Sequence, residues 1–269
     1  EIKIKNRYST ARKNHKREDK MTRESTLDQI LRRGSLRVPI EYLDPPDTGE
    51  PPEMYLDPET NEPAGVAPRV VAMIAEDLGV DLEIIEMPWP DQISALLTEK
   101  VDLLPKHTAF PARALNQEFI SGRLMQIRVT CQVPVKEAYG GLASLQRKGL
   151  RIGVWHGSSN RDVAERIFPA AKIVDASKPW ELMRKGEVDS IVADAVTSRY
   201  LELNPQLALL REPDGKLVIL SKEYNKVSIR PGDPKFLNWL NTWYDYRAGQ
   251  GDIEQLCVTW WESFMGDRE

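Results

Sequence analysis

Short apolar runs alternate with helical periods along this chain, and the alternation starts again near its middle. In the first half, residues 36–40, 82–87 and 101–104 read as strands. Between them Gly65 opens a helix with Pro68 in its first turn. Val70, Val71, Ile74, Ala75 and Leu78 form its apolar face, Gly79 ends it, and residues 91–98 read as a second helix. After an extended run at 127–135 and a short helix at 142–148, the order returns. Strands at 150–155, 172–174 and 188–193 alternate with helices at 161–167 and 179–185, and a further helix opens at Asp194. Strands separated by helices are the pattern of parallel βαβ units, which places the chain in the α/β class. Segments 207–210, 217–220 and 226–229 are extended. Two helices close the chain, 234–246 with Phe236, Leu240 and Trp243, and 253–264 with Leu256, Trp260 and Trp261. The 269 residues suffice for one large domain or for two lobes of about 100–150 residues each.

Two segments stand outside this pattern. Residues 1–25 lack apolar periodicity, and 1–24 carry a net +5 in a chain whose total is −4. They read as a flexible basic arm, tether or leader remnant ahead of a short helix marked by Leu27, Ile30 and Leu31 and stopped by Gly34. Residues 41–63, rich in Pro, Asp and Glu, read as a long loop too polar for the core. The overall negative charge argues against general nucleic-acid binding. No apolar run approaches the roughly 20 residues that span a bilayer. No signal-peptide apolar region is visible, so the chain is cytosolic or already processed. Cys131 and Cys257 are two thiols or one long-range disulfide, and His15, His107 and His156 are too scattered for a zinc motif. No metal or cofactor is expected.

The stretch from Val101 to Arg113, VDLLPKHTAFPAR, carries the densest chemistry. Read alone, a strand ends at Pro105, Lys106, His107 and Thr108 form a loop, and a helix restarts near Pro111 with Arg113 one turn in. A hydroxyl, an imidazole and two cations before a helix N-terminus suit an anion, and a guanidinium grips a carboxylate with two prongs. An ordinary strand-to-helix loop with a surface arginine is the other reading of this window.

The order of features resembles the type II periplasmic solute-binding proteins of the amino-acid-binding kind (bacterial extracellular solute-binding proteins, family 3). The resemblance is carried by GSLRV, GVAPRVVAMIAEDLGVDLEIIEMPW, ISALLTEKVDLL, Thr108 with Arg113, RIGVWHGSS, GEVDSIVADAV and the closing Trp-bearing helices. It implies a two-lobed Venus-flytrap fold, each lobe a βα sheet sandwich, joined by two crossover strands near 127–131 and 221–227. Lobe 1 would be 26–127 plus 226–269, and lobe 2 would be 128–225. It also implies a ligand α-carboxylate on Arg113 and Thr108, donors from Ser158 and Ser159, and an α-ammonium on Asp194. Read from the residues alone, plain helix caps are the alternative for both serines and for Asp194.

Departures from the family pattern blur the ligand. Glu53, Met54 and Tyr55 stand where an aromatic usually follows the loop's PP, and the frequent GFDxD reads Gly65-Val66-Ala67-Pro68-Arg69. Phe110 replaces a second Thr, Arg123 lies in a changed S-x-P-Y stretch, and Lys106 and His107 are unusual. These extra cations either serve a second anionic group or are solvated; Trp89 either walls the pocket or plugs the core. Three functions follow as expectations. The first is binding a small carboxylate, an amino acid above all, by an exported monomer in the periplasmic or extracellular space that serves a membrane transporter permease. The second is an enzyme resembling cyclohexadienyl dehydratases. It is weakened because Asp194-Ala195-Val196-Thr197 has a threonine where those relatives carry a general-acid Glu. The third is a sensory or accessory module. No residue is assigned a catalytic role.

Overall fold

A computed structural model of the chain describes residues 23–41, 49–50, 53–57, 59–195, 201 and 204–257. Helix α1 (Thr26–Arg33) begins where the Leu27 N–H donates to the Ser25 hydroxyl, and it stops at Gly34, whose φ of 77° favours a residue without Cβ. Strand β1 (Ser35–Ile40) follows at once. Next come the short strands β2 (Gly49–Glu50), β3 (Met54–Leu56) and β4 (Pro63–Ala64), which form their own antiparallel sheet. Helix α2 (Val66–Leu78) runs between Gly65 and Gly79 as its periodicity predicts. Strand β5 (Asp81–Glu86) pairs parallel with β1 and completes a βαβ unit; α3 (Trp89–Leu97) and β6 (Leu104–Thr108) come next.

The short β7 (Glu118–Phe119) leads to the long β8 (Met125–Pro134). The second alternation is β9 (Arg151–Trp155), α4 (Asn160–Ile167), β10 (Lys172–Ala176), α5 (Pro179–Arg184) and β11 (Ser190–Asp194). Strands β12 (Leu207–Leu209) and β13 (Ser221–Ile229) precede α6 (Pro234–Gly249), and residues 252–257 are helical. The large sheet has the order β10-β9-β11-β8-β13-β6, with β12 on β8 and β7 on β13. Strands β8 and β13 pair antiparallel from Ser221 opposite Val129 to Asn225 opposite Met125, so they lie between the parallel β9–β11 group and β6. One apolar core runs through both groups, from Leu36, Val70 and Ile74 to Ile127, Ile152 and Phe236.

Several local expectations give way to tertiary context. Strand β6 does not stop at Pro105 but continues through buried Lys106 and His107. It is the last strand in the order, and its register with β13 is irregular between Lys226 and Ser228, so the missing proline N–H breaks no regular ladder there. The helix expected near Pro111 is one 3-10 turn, Arg113–Leu115, because the chain must return to pair Glu118 and Phe119 with β13. The 41–63 segment is not outside the core. Glu53, Met54 and Tyr55 are buried, Met54 packs with Ile40 and Ala67, and the Glu53 carboxylate has a lysine partner. Residues 142–148 hold only the 3-10 turn Leu142–Leu145, and 217–220 form no strand beyond one bridge between Arg211 and Leu217. Asp194 ends a strand; the helix expected after it, Thr197, residues 1–22, Trp260, Trp261 and Phe264 lie outside the described residues.

Asp233 ties the start of the described chain to α6. Its carboxylate accepts from the Ser25 hydroxyl at 2.8 Å, the Thr26 N–H at 2.6 Å and the Phe236 N–H at 3.1 Å. Burial alone would raise this carboxyl, but the hydrogen bonds from Thr26, Phe236 and Ser25 outweigh it and hold it below the ordinary carboxylate range. A folded value below the unfolded one gives stability that is complete above the unfolded value and lost as pH falls through the folded one. Asp233→Ala is expected to lower the unfolding free energy at pH 7 by about 1–3 kcal/mol and to flatten its acid limb. Asp233→Asn should lose less; urea titrations at pH 7 and pH 3 measure both.

Candidate functional site

A cavity of about 330 Å³ opens where the carboxyl ends of strands from the two groups meet. Trp155, Asp175 and Asp194 come to it from β9, β10 and β11, with Ser158, Ser159 and Asn160 from the turn that starts α4. From the other side come Glu41 just past β1, Trp89 just past β5, and Lys106 and Thr108 on β6, with Arg113 behind them. Carboxyl ends of parallel strands are where α/β sheets hold ligands, because helix N-termini and loops converge there.

Arg113 is only 6% exposed. Its guanidinium donates to the Thr108 carbonyl at 3.3 Å and to the Gly157 carbonyl at 3.0 Å, which links the two sides of the cavity. It lies 5.6 Å from the Trp89 ring centroid and 5.0 Å from that of Phe110. Burial pushes its pKa down to about 10, against the pull of Glu223, Asp194 and Asp162, so it stays cationic at neutral pH. Thr108 is fixed by Asn225: its hydroxyl donates to the Asn225 Oδ1 at 3.2 Å, and the Asn225 amide donates to Glu53 at 3.2 Å. Glu53 also forms a buried ion pair with Lys106. The Ser159 hydroxyl donates to Glu223 at 2.8 Å instead of capping α4, and Ser158 bonds the Trp155 carbonyl at 2.7 Å.

The model of the bacterial extracellular solute-binding proteins, family 3, matches residues 46–263. This chain belongs to that family. The structure carries the family's two-lobed α/β fold. The ancestral amino acid-binding protein AncCDT-1, a precursor of cyclohexadienyl dehydratase, is similar at 25% identity and a TM-score of 0.71, covering 88% of this chain and 99% of its own. A solute receptor for L-cysteine from Neisseria gonorrhoeae is 18% identical with a TM-score of 0.75, covering 91% and 97%. Among curated proteins, the cyclohexadienyl dehydratase of Pseudomonas aeruginosa is 23% identical over 245 residues, 89% of this chain and 87% of that protein.

Within this family 3 protein, the structure sorts the sequence-nominated residues. Arg113, Thr108, Asp194, Ser158, Ser159, Trp89, Lys106 and Glu53 all line the cavity. His107, Phe110 and Tyr55 do not. Phe110 lies against the Arg113 guanidinium, and Tyr55 is buried on β3. His107 is fully buried and stacks on Trp89 with ring centroids 4.3 Å apart, so it backs the wall without forming it. Of the cations proposed for a second anionic group, Lys106 is buried in an ion pair with Glu53, and Arg123 is exposed and lies over the Tyr224 ring at 4.2 Å. Glu41, Asn160, Asp175 and Asn225 escaped sequence reading. Glu41 and Asp175 were findable, since each sits at the carboxyl end of a strand in a βαβ pattern.

His107 accepts at Nδ1 from the Gln117 amide at 3.2 Å and meets Gln92 Oε1 through Nε2 at 3.3 Å, an arrangement that suits the neutral ring. Burial first, then Arg113 and Lys106, push its pKa well below 6.5. The sign follows from proton uptake. Below about pH 6.5 the unfolded chain binds a proton here that the folded chain refuses, so stability falls with pH by up to ~1.4 kcal/mol per unit. His107→Gln should remove this contribution. Unfolding free energies between pH 7 and pH 5 are expected to fall less steeply in the variant than in the wild type.

Proposed function

We propose that this protein binds a free amino acid in the cavity, without turnover, as an exported component that hands its ligand to a membrane permease. The observation that carries this reading is Arg113: a buried, cationic guanidinium that lines the cavity and touches backbone from both of its sides. Only two of its five N–H donors have protein acceptors among the described residues. A carboxylate can take two more in the planar geometry that guanidinium favours. The turn that opens α4, with Ser158, Ser159 and Asn160, lines the same space, and Asp194 answers the α-ammonium. We assign lobe 1 to 26–127 plus 226–269 and lobe 2 to 128–225, with β8 and β13 as the crossovers, so that a carboxylate on Arg113 holds the cleft closed. Amino-acid binding by the ancestral relative supports the ligand class. The monomeric state and the permease partner follow the family habit. Among the described residues no helix is long and apolar enough to cross a membrane.

The dehydratase relative favours a second reading, in which a cyclohexadienyl acid is the substrate. Thr197 speaks against it, because a threonine hydroxyl has no useful acidity for protonating a leaving hydroxide. Two measurements separate the readings. Calorimetric titration with the common L-amino acids should find at least one ligand, and Arg113→Ala should weaken it by about 2–5 kcal/mol, with Arg113→Lys recovering part. Wild-type affinity in a folded Arg113→Ala protein would remove the site. Incubation with prephenate or arogenate should release no product; sustained release of phenylpyruvate or phenylalanine would establish the enzyme instead.

A further inference from the structure

Three hydroxyl residues that line the cavity already donate within the protein. Thr108 donates to the Asn225 Oδ1 at 3.2 Å, Ser158 to the Trp155 carbonyl at 2.7 Å and Ser159 to Glu223 at 2.8 Å. The direction of each bond is fixed. A carbonyl and a carboxylate have no proton to give, and the Asn225 amide nitrogen is turned to Glu53. A hydroxyl has one proton, so towards a ligand these three present lone pairs. An anion in the cavity gains no hydrogen bond from them unless a protein contact breaks first.

The same contacts close a circuit around Arg113. Its guanidinium donates to the Thr108 carbonyl and to the carbonyl of Gly157, two residues before Ser159. Ser159 bonds Glu223, and Glu223 and Asn225, two apart on β13, share one face of that strand. Asn225 returns to Thr108. Glu223 therefore grips the turn that Arg113 also grips, and its charge is the first of those that support the buried guanidinium. A ligand carboxylate on Arg113 must share that cation with an acid already there, and like charges beside one cation repel.

We infer that Glu223 sets the affinity of the site from outside the cavity lining: it holds the Ser159 hydroxyl that the ligand carboxylate would otherwise take, and it opposes that carboxylate at Arg113. This rests on the amino-acid reading above. Without a ligand, Glu223 helps to keep a cation buried; with one, it loosens the grip on the anion, which favours release. Substitution separates charge from hydrogen bonding, since a glutamine keeps an acceptor for Ser159 and carries no charge.

The test uses the full chain and calorimetric titration with the common L-amino acids, each binder paired with its carboxamide, which lacks the anionic group. In Glu223→Gln the acids should bind about threefold tighter or more, and tighten more than their amides. A purely structural role would not give a gain that depends on the charge of the probe. Ser159→Ala is an independent arm that stands even if Glu223→Gln does not fold. It should cost the acids less than about threefold, because the proton it removes is not on the ligand. Acids that bind no tighter in Glu223→Gln, or tighten no more than their amides, would overturn the inference. So would a loss of about tenfold or more in Ser159→Ala, the size expected for a hydrogen bond to the carboxylate. Either result, with binding still dependent on Arg113, leaves the amino-acid reading in place. Failure of every amino acid to bind the wild type would remove both.

Discussion

A charged guanidinium is held almost out of water at the centre of this molecule, and the neighbouring architecture is arranged around that cost. Removing an ion from water costs several kcal/mol unless the site supplies replacements. For Arg113 these are two carbonyls, the rings of Trp89 and Phe110, and the fields of Glu223, Asp194 and Asp162. The compensation is partial, as the downward push on its pKa indicates. A site that leaves a buried cation short of hydrogen bonds is prepared for an anion, and the cavity beside it has room for one of small-molecule size. The 3-10 turn that replaces a regular helix after Pro111 brings Arg113 back against Thr108.

Behind this cation the wall is built from charges that cancel. Lys106 and Glu53 neutralise each other in the interior, and Asn225 joins Glu53 to Thr108. Such a pair is costly to break by removing one member, because the other stays buried and uncompensated. His107 extends the wall inward as a neutral ring between Gln92 and Gln117, stacked on Trp89. The two positions that look in sequence like extra anion-binding groups therefore serve to hold the pocket's shape. On the proposed reading, charge recognition falls to Arg113 on one side and to Asp194 on the other.

Much of the α/β framework was legible because hydrophobic period and glycine stops are local signals. Helix α2 between Gly65 and Gly79, and the strands of the second alternation, lie close to where their periodicity puts them. What was not legible depends on distant partners. Pro105 looks like a strand end unless β6 is known to lie at the end of the sheet with an irregular register opposite it. Glu53 looks like loop polarity unless Lys106 is known to meet it. For the site, Arg113 was marked by its own chemistry and by the resemblance, and Thr108 and Asp194 by the resemblance, and all three line the cavity; His107, read from its chemistry, and Phe110, read from its place in the family pattern, do not line it. Asn160 carried no distinguishing motif, and Asp175 showed itself only by its place near the carboxyl end of a strand; both line the cavity.

The most direct measurement is a crystal structure of the protein with a bound L-amino acid. The account predicts both carboxylate oxygens within about 3 Å of the Arg113 guanidinium nitrogens, with a further contact from the N–H groups that open α4. A ligand whose carboxylate lies elsewhere, with Arg113 still donating only to Thr108 and Gly157, would contradict it.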